Sequence, residues 1–179
     1  MGKDMIKTKL SIFDFDSTLI STPLPDMGRI TYNKKTGNVW PHNGWWGRHE
    51  SLDMDIFDME TVEDVEKDYN REKAKPDTIM VMLTGRLVKL GDYVKKILDS
   101  KGFEFDEYCY NTGGTTEISK IKTMESLLDK YPNVVEIQCW EDRLEHVPIF
   151  EEWGKKQCLS GRLKDFSITV VISSNHDVK

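Results

Sequence analysis

The stretch LSIFDFDSTLIS, Leu10 to Ser21, decides how the rest of the chain is read. An apolar run ends in two aspartates one residue apart and passes at once into polar turn residues. In an ordinary sheet such an ending is solvated punctuation, with Asp14 and Asp16 as caps or Asx turns. On a strand, residues two apart share a side. The alternation therefore sets both carboxylates on one side and turns Phe15 toward the core. The remainder of the chain decides between these readings.

Four more apolar runs read as buried strands: DTIMVMLTG, FEFDEYCYN, NVVEIQCWED and FSITVVIS. Between them lie helical stripes. Leu90, Tyr93, Val94, Ile97 and Leu98 form one, and Ile118, Ile121, Met124, Leu127 and Leu128 another. VPIFEEWGKK places Pro148 where a first helical turn tolerates it. Strands alternating with helices predict an α/β fold with a parallel sheet and helices on both faces. The 179 residues fit a single domain.

The exception is the interval from about residue 20 to 75, longer than a connection needs. RITYNKKTGNVW reads as a hairpin with a Gly-containing turn. DIFDMETVEDVEKDYNREKAK reads as the crossover helix. The interval is expected to be a flap or cap inserted after the first strand, covering something. Trp45 and Trp46 are expected to pack it rather than to stack a ligand.

Ligands of open parallel sheets bind beyond the carboxyl ends of the strands. The first run delivers Asp14 and Asp16 there, the second Thr84, Gly85 and Arg86, and the fourth Glu141, Asp142 and Arg143. The fifth ends in SSNH, to which no role attaches. Carboxylates gathered on one rim repel unless a cation sits among them. Oxygen ligands from separate strands suit Mg²⁺, which keeps waters that a phosphate can replace. A carboxylate beside such a metal can attack phosphorus, and a second can shuttle the proton.

FDFDSTL resembles the first motif of haloacid dehalogenase (HAD) superfamily phosphatases, with LTGR as the second and EDR as the fourth. Together, FDFDSTLISTPLP, GWW, MLTGR and WEDRLEH resemble the HAD domain of the Swiss Army Knife RNA-repair proteins. The resemblance runs from about Leu10 to Phe150. It implies a Rossmann-like HAD fold and a Mg²⁺-dependent phosphomonoesterase working through an aspartyl-phosphate. Asp14 matches the nucleophile, and Asp16 the general acid/base that also offers its backbone carbonyl to the metal. Thr84 matches the hydroxyl that holds a phosphoryl oxygen, with Gly85 admitting close backbone approach. Asp142 matches the metal ligand, with Glu141 beside it, so the implied metal set is Asp14, Asp16 and Asp142. The third motif is a lysine near the start of a helix. EISKIKTME offers Lys120 and Lys122, and Lys120 is favoured because Ile121 then takes the apolar place that follows. Arg86 and Arg143 are candidate substrate contacts or structural ion pairs, and His146 stays in view beside EDR.

Net charge is −6, yet residues 50–77 alone carry 11 acidic and 4 basic groups. The acidity is local and does not exclude an anionic substrate elsewhere. Residues 27–49 carry Arg29, Lys34, Lys35 and Arg48, interleaved with Tyr32, Trp40, Trp45 and Trp46. Cations meet phosphates and rings stack bases, so a phosphorylated nucleic-acid end or a nucleotide is the expected substrate. A nucleotidase, another small-molecule phosphatase, and a non-catalytic module that holds phosphorylated ends are the alternatives. No ligase or kinase motif is present, so separate repair enzymes are expected partners. MGKDMI lacks the core of a signal peptide, and no apolar run approaches a membrane span. Cys109, Cys139 and Cys158 lack paired spacing. The cytoplasm is the expected location.

Overall fold

A computed structural model describes residues 5–172. Five strands form the main sheet: β1 (Lys9–Phe13), β4 (Thr78–Leu87), β5 (Glu107–Asn111), β6 (Glu136–Glu141) and β7 (Asp165–Val170). Their order is β5-β4-β1-β6-β7, and every neighbouring pair is parallel. The run SSNH lies outside the described residues.

The chain leaves β1 toward β4, but leaves β6 in the opposite direction, toward β7. Connections that part in this way open a crevice between adjacent strands at their carboxyl ends. Asp14 therefore meets Glu141 and Asp142 at that point, and the Asp14 amide donates to the Trp140 carbonyl at 3.1 Å.

Period-2 alternation splits the core in two. On one face Leu10, Ile12, Ile79, Val81, Leu83 and Ile137 pack under α4 (Thr116–Lys130) and α5 (Val147–Leu159), through Met124, Leu127, Phe150 and Trp153. On the other, Phe13, Phe15, Met80, Met82 and Trp140 meet α2 (Glu63–Lys73) and α3 (Gly91–Ser100) through Val65, Tyr69, Val94 and Ile97. Each such fully buried side chain stabilises the fold by roughly 1.5–3 kcal/mol relative to exposure. Asp14 continues the side of Leu10 and Ile12, the side that α4 covers, while Phe15 goes to the opposite core. That parity brings α4 over Asp14.

The inserted segment is tied at its root by a short antiparallel pair, β2 (Ile20–Ser21) with β3 (Glu60–Thr61). Here the sequence expectation fails: the stretch read as a hairpin is α1 (Pro25–Thr36). Pro25 lies in its first turn with Asp26, Lys34 and Lys35 in its last, and Gly37 closes it in the left-handed region at φ 75°. Each of these is a helix-end preference. Gly28 is the buried residue of α1, and a Cβ there would lie 2.1 Å from the Trp45 ring. Trp40, Trp45, Leu52 and Phe57 carry the insertion into the same core as Phe13. The expected crossover helix is present as α2, but only over Glu63–Lys73; the stretch before it forms turns and β3. Among the described residues, no helix is long and apolar enough to cross a membrane.

Candidate active site

A cavity of about 460 Å³ opens at the β1–β6 crevice, with Asp14, Lys120 and Asp142 among its lining. Gly85, Thr116 and Arg143 also border it. Asp14 is 6 % exposed and Asp142 8 %, so these charges lie in a low-dielectric floor. Ligand oxygens of Asp14, Glu141 and Asp142 all fall within 4.8 Å of one another.

Lys120, on the first turns of α4, sends its ammonium to Asp14 Oδ1 at 3.1 Å and Glu141 Oε2 at 2.8 Å. Lys122 is on the exposed side of the same helix. Burial alone would drive the lysine toward its neutral form. The charges and hydrogen bonds of Asp14 and Glu141 outweigh it, and the ammonium is held well above its usual range. The carboxyls respond in the opposite sense. Burial and the Asp14 charge raise Glu141 to about 7. Burial, the Asp14 charge and a hydrogen bond with Asp14 raise Asp142 to about 9. The floor thus holds more negative charge than it can carry ionised.

Sequence reasoning missed Thr18. Its hydroxyl lies 3.2 Å from Asp142 Oδ1 and 3.5 Å from Asp14 Oδ2, between the two strand ends. The turn that delivers it passes through Ser17, a non-glycine residue at φ 57°. That conformation is costly for an L side chain and is found where the surroundings impose it. Residue type alone carries no sign of this bridge.

Asp16 borders the cavity, but its side chain stands apart from the metal-type cluster. Arg86 grips it as a fork, Nε to Oδ2 at 3.0 Å and Nη2 to Oδ1 at 2.7 Å, and Thr22 donates to Oδ1 at 2.7 Å. The remaining Arg86 nitrogen donates to the Trp46 carbonyl at 2.7 Å and to Ser51 Oγ at 2.8 Å. The guanidinium is therefore committed to Asp16 and the insertion. Thr84 is buried, and its hydroxyl oxygen accepts the Arg86 backbone N–H at 3.1 Å. Gly85 has a steric reason: a Cβ there would sit 2.6 Å from Thr116 Cγ2.

Arg143 pairs with Glu145 at 3.0 Å and stays partly exposed at the rim. His146 is buried, with Nδ1 lacking a hydrogen-bond partner, and burial together with Arg143 and Lys120 favours its neutral form. Trp45 packs as expected, its Nε1–H donating to the Pro23 carbonyl at 3.1 Å. Trp46 does not pack away; it is 42 % exposed and lines the cavity. Arg29, Lys34, Lys35 and Arg48 are on the surface of the insertion, outside the cavity lining.

The profile of HAD domain family 1 in Swiss Army Knife RNA repair proteins matches residues 30–178. The uncharacterized protein YMR265C of Saccharomyces cerevisiae is 28% identical over 169 residues, covering 82% of this chain. The chain spans only 37% of that relative's length. Among solved structures, a Pnkp1/Rnl/Hen1 complex is similar in fold over 92% of this chain and 45% of its own, at a TM-score of 0.56 and 14% identity. The HAD domain of the effector Lem4 from Legionella pneumophila, an inactive mutant, is similar over 94% of this chain and 87% of its own, at 0.54 and 13%.

Proposed function

The chain belongs to HAD domain family 1 of the Swiss Army Knife RNA-repair proteins, and we propose that it is a Mg²⁺-dependent phosphomonoesterase acting on phosphorylated nucleic-acid ends. One observation carries the reading: Asp14 stands on the cavity floor with the Lys120 ammonium at 3.1 Å and within the carboxylate trio completed by Glu141 and Asp142. The donor set suits a hard divalent cation, since three buried carboxylates face an ammonium that touches two of them. Asp14, Asp142 and the backbone carbonyl of Asp16 would hold Mg²⁺, with Glu141 beside them. Bound there, the ion would supply positive charge against the phosphoryl oxygens.

The chain's own residues divide the remaining work. An Asp14 oxygen attacks phosphorus, the bond to the leaving oxygen breaks, and an aspartyl-phosphate forms. Asp16 gives a proton to the leaving oxygen, which requires one carboxyl oxygen to be protonated and to leave the Arg86 fork while the other keeps the guanidinium. Asp16 then takes a proton from the water that attacks the acyl phosphate, restoring Asp14 and releasing inorganic phosphate. Lys120 and Thr84 hold the phosphoryl oxygens, a preorganised electrostatic task that dominates phosphoryl transfer. The α4 N-terminus, which reaches the cavity through Thr116, adds a favourable dipole for an anion. Arg86 acts as a positioning residue for Asp16 rather than as a substrate contact. Arg143, at the rim, could exchange its exposed pairing with Glu145 for phosphate or base.

The nucleic-acid end is favoured by the RNA-repair family and by the basic groups of α1. Lys34 and Lys35 stand ten and eleven residues beyond Leu24, itself part of the cavity lining. At the helical rise that is roughly 15 Å, so only a substrate longer than one nucleotide reaches them. Other repair enzymes would then supply or consume the processed ends. The test is a phosphate-release screen over mononucleotides, 3′- and 5′-phosphorylated oligonucleotides and sugar phosphates at two salt concentrations. Oligonucleotides should lead in kcat/KM, with an advantage that shrinks as salt rises. A lead by mononucleotides or sugar phosphates would transfer the reading to a small-molecule phosphatase. Absence of release from every substrate would leave an end-binding module.

A further inference from the structure

We propose that Trp46, with Leu24 and Leu144, forms a stacking subsite for the base attached to the scissile phosphate. The inference rests on the phosphatase reading for where the phosphate lies. All three side chains line the same cavity as Asp14 and Lys120. Trp46 is 42 % exposed and Leu144 68 %. Three apolar side chains on the lining of one cavity mark a ligand-binding surface rather than scattered exposure.

The ring is held in place for such a role. The Arg86 guanidinium carbon lies 4.9 Å from the Trp46 ring centroid, and Arg86 also donates to the Trp46 carbonyl at 2.7 Å. The guanidinium is in turn fixed by its fork to Asp16. A tryptophan packed against a cation on one side, with exposed ring surface bordering a cavity, is a preorganised platform. Leu24 and Leu144 offer no hydrogen-bonding groups of their own to sugar hydroxyls, but suit the faces and edges of a flat heteroaromatic ring. The occupant is therefore a nucleobase rather than a sugar or an alkyl phosphate.

The position also matters for sequence tolerance. Stacking reads a π face that every base has, so the subsite accepts any terminal base while rejecting phosphates that carry none. It lies next to the reacting group, unlike Lys34 and Lys35. The base beside the scissile phosphate and the strand beyond it are thus recognised by different parts of the insertion.

The test measures affinity by calorimetry with Mg²⁺ present, in an Asp14→Asn background so that nothing is turned over. The ligands are 5′-AMP, 3′-AMP and ribose 5-phosphate; the added substitutions are Trp46→Ala and Trp46→Phe. At least one AMP should bind about tenfold tighter than ribose 5-phosphate. Trp46→Ala should weaken that AMP by at least about fivefold, within the range for loss of one base stack. It should leave ribose 5-phosphate within about twofold, and Trp46→Phe should restore most of the loss. Undetectable AMP binding, or equal binding of AMP and ribose 5-phosphate, would overturn the subsite. So would an equal loss for both ligands, which would mean that the ring acts only through Arg86 and Asp16. Phosphate release from p-nitrophenyl phosphate by the chain with Asp14 intact is scored separately. Its absence alongside ring-dependent AMP binding would remove the turnover and keep the subsite.

Discussion

Replacing Asp142 by Asn is expected to make the metal-free protein more stable while removing its response to Mg²⁺. In the fold this carboxyl is raised from 3.8 to about 9, by burial first and then by Asp14. A group whose pKa is raised on folding supports the fold fully below its unfolded value, here about pH 4. That support is lost as pH climbs toward 9. The charge excess is shared among coupled carboxyls, so the loss between pH 4 and pH 8 belongs to the cluster and not to Asp142 alone. Glu141 is raised by the same crowding, so one substitution relieves only a part, on the order of 2 kcal/mol, or about one and a half pKa units. The amide keeps an oxygen that can accept from Thr18. Urea unfolding with EDTA at pH 8 should therefore place Asp142→Asn above the parent, with the gap closing at pH 5. Addition of Mg²⁺ should then raise the parent's midpoint in proportion to occupancy and leave the variant unmoved. A variant less stable than the parent at pH 8 in EDTA, yet still stabilised by Mg²⁺, would refute both the charge excess and the ligand assignment.

Gly85→Ala should cost roughly 1–3 kcal/mol, because its Cβ would meet Thr116 Cγ2 and Oγ1 at 2.6 and 2.7 Å. Thr116→Ala added to it should recover most of that loss in denaturation. Asp16→Asn should slow a nucleotide phosphate, whose leaving oxygen needs a proton, more than an activated aryl phosphate; loss of a general acid costs ~10²–10⁴-fold. Equal losses would assign Asp16 to metal binding or structure. Glu72 is raised by burial but pulled down further by Lys75, Lys9 and Ser11, to about 2. Its contribution is present above about pH 4.5 and fades as pH falls toward 2, so Glu72→Gln should cost on the order of 3 kcal/mol at pH 7 and flatten the acid limb of an unfolding titration.

The five strands were legible because each is an apolar run bounded by turn chemistry, and the carboxylates because strand parity is short-range. Asp14 and Phe15 go to opposite sides by period alone. The helix α1 escapes the periodic pattern for a physical reason: it buries Gly28, while Met27 and Ile30 remain exposed, so no apolar stripe marks it. Its end signals, Pro25 and Gly37, were nevertheless present in the letters. The fork between Arg86 and Asp16 joins residues 70 positions apart, and the Thr18 contact with Asp142 spans 124. Local pattern cannot report such pairings; they follow from the order β5-β4-β1-β6-β7, which sets the ends of β4 and β6 on either side of β1. The separate fates of Trp45 and Trp46 likewise depend on which of two adjacent rings Gly28 admits.

The proposed chemistry passes a phosphoryl group through Asp14. Phosphate release from p-nitrophenyl phosphate, followed with and without Mg²⁺ for the parent and for Asp14→Asn, tests it most directly. Mg²⁺-dependent release by the parent and none above background by a folded Asp14→Asn is the predicted result. Retention of more than about a few per cent of the parent rate by the variant, with deamidation excluded by mass, would contradict it.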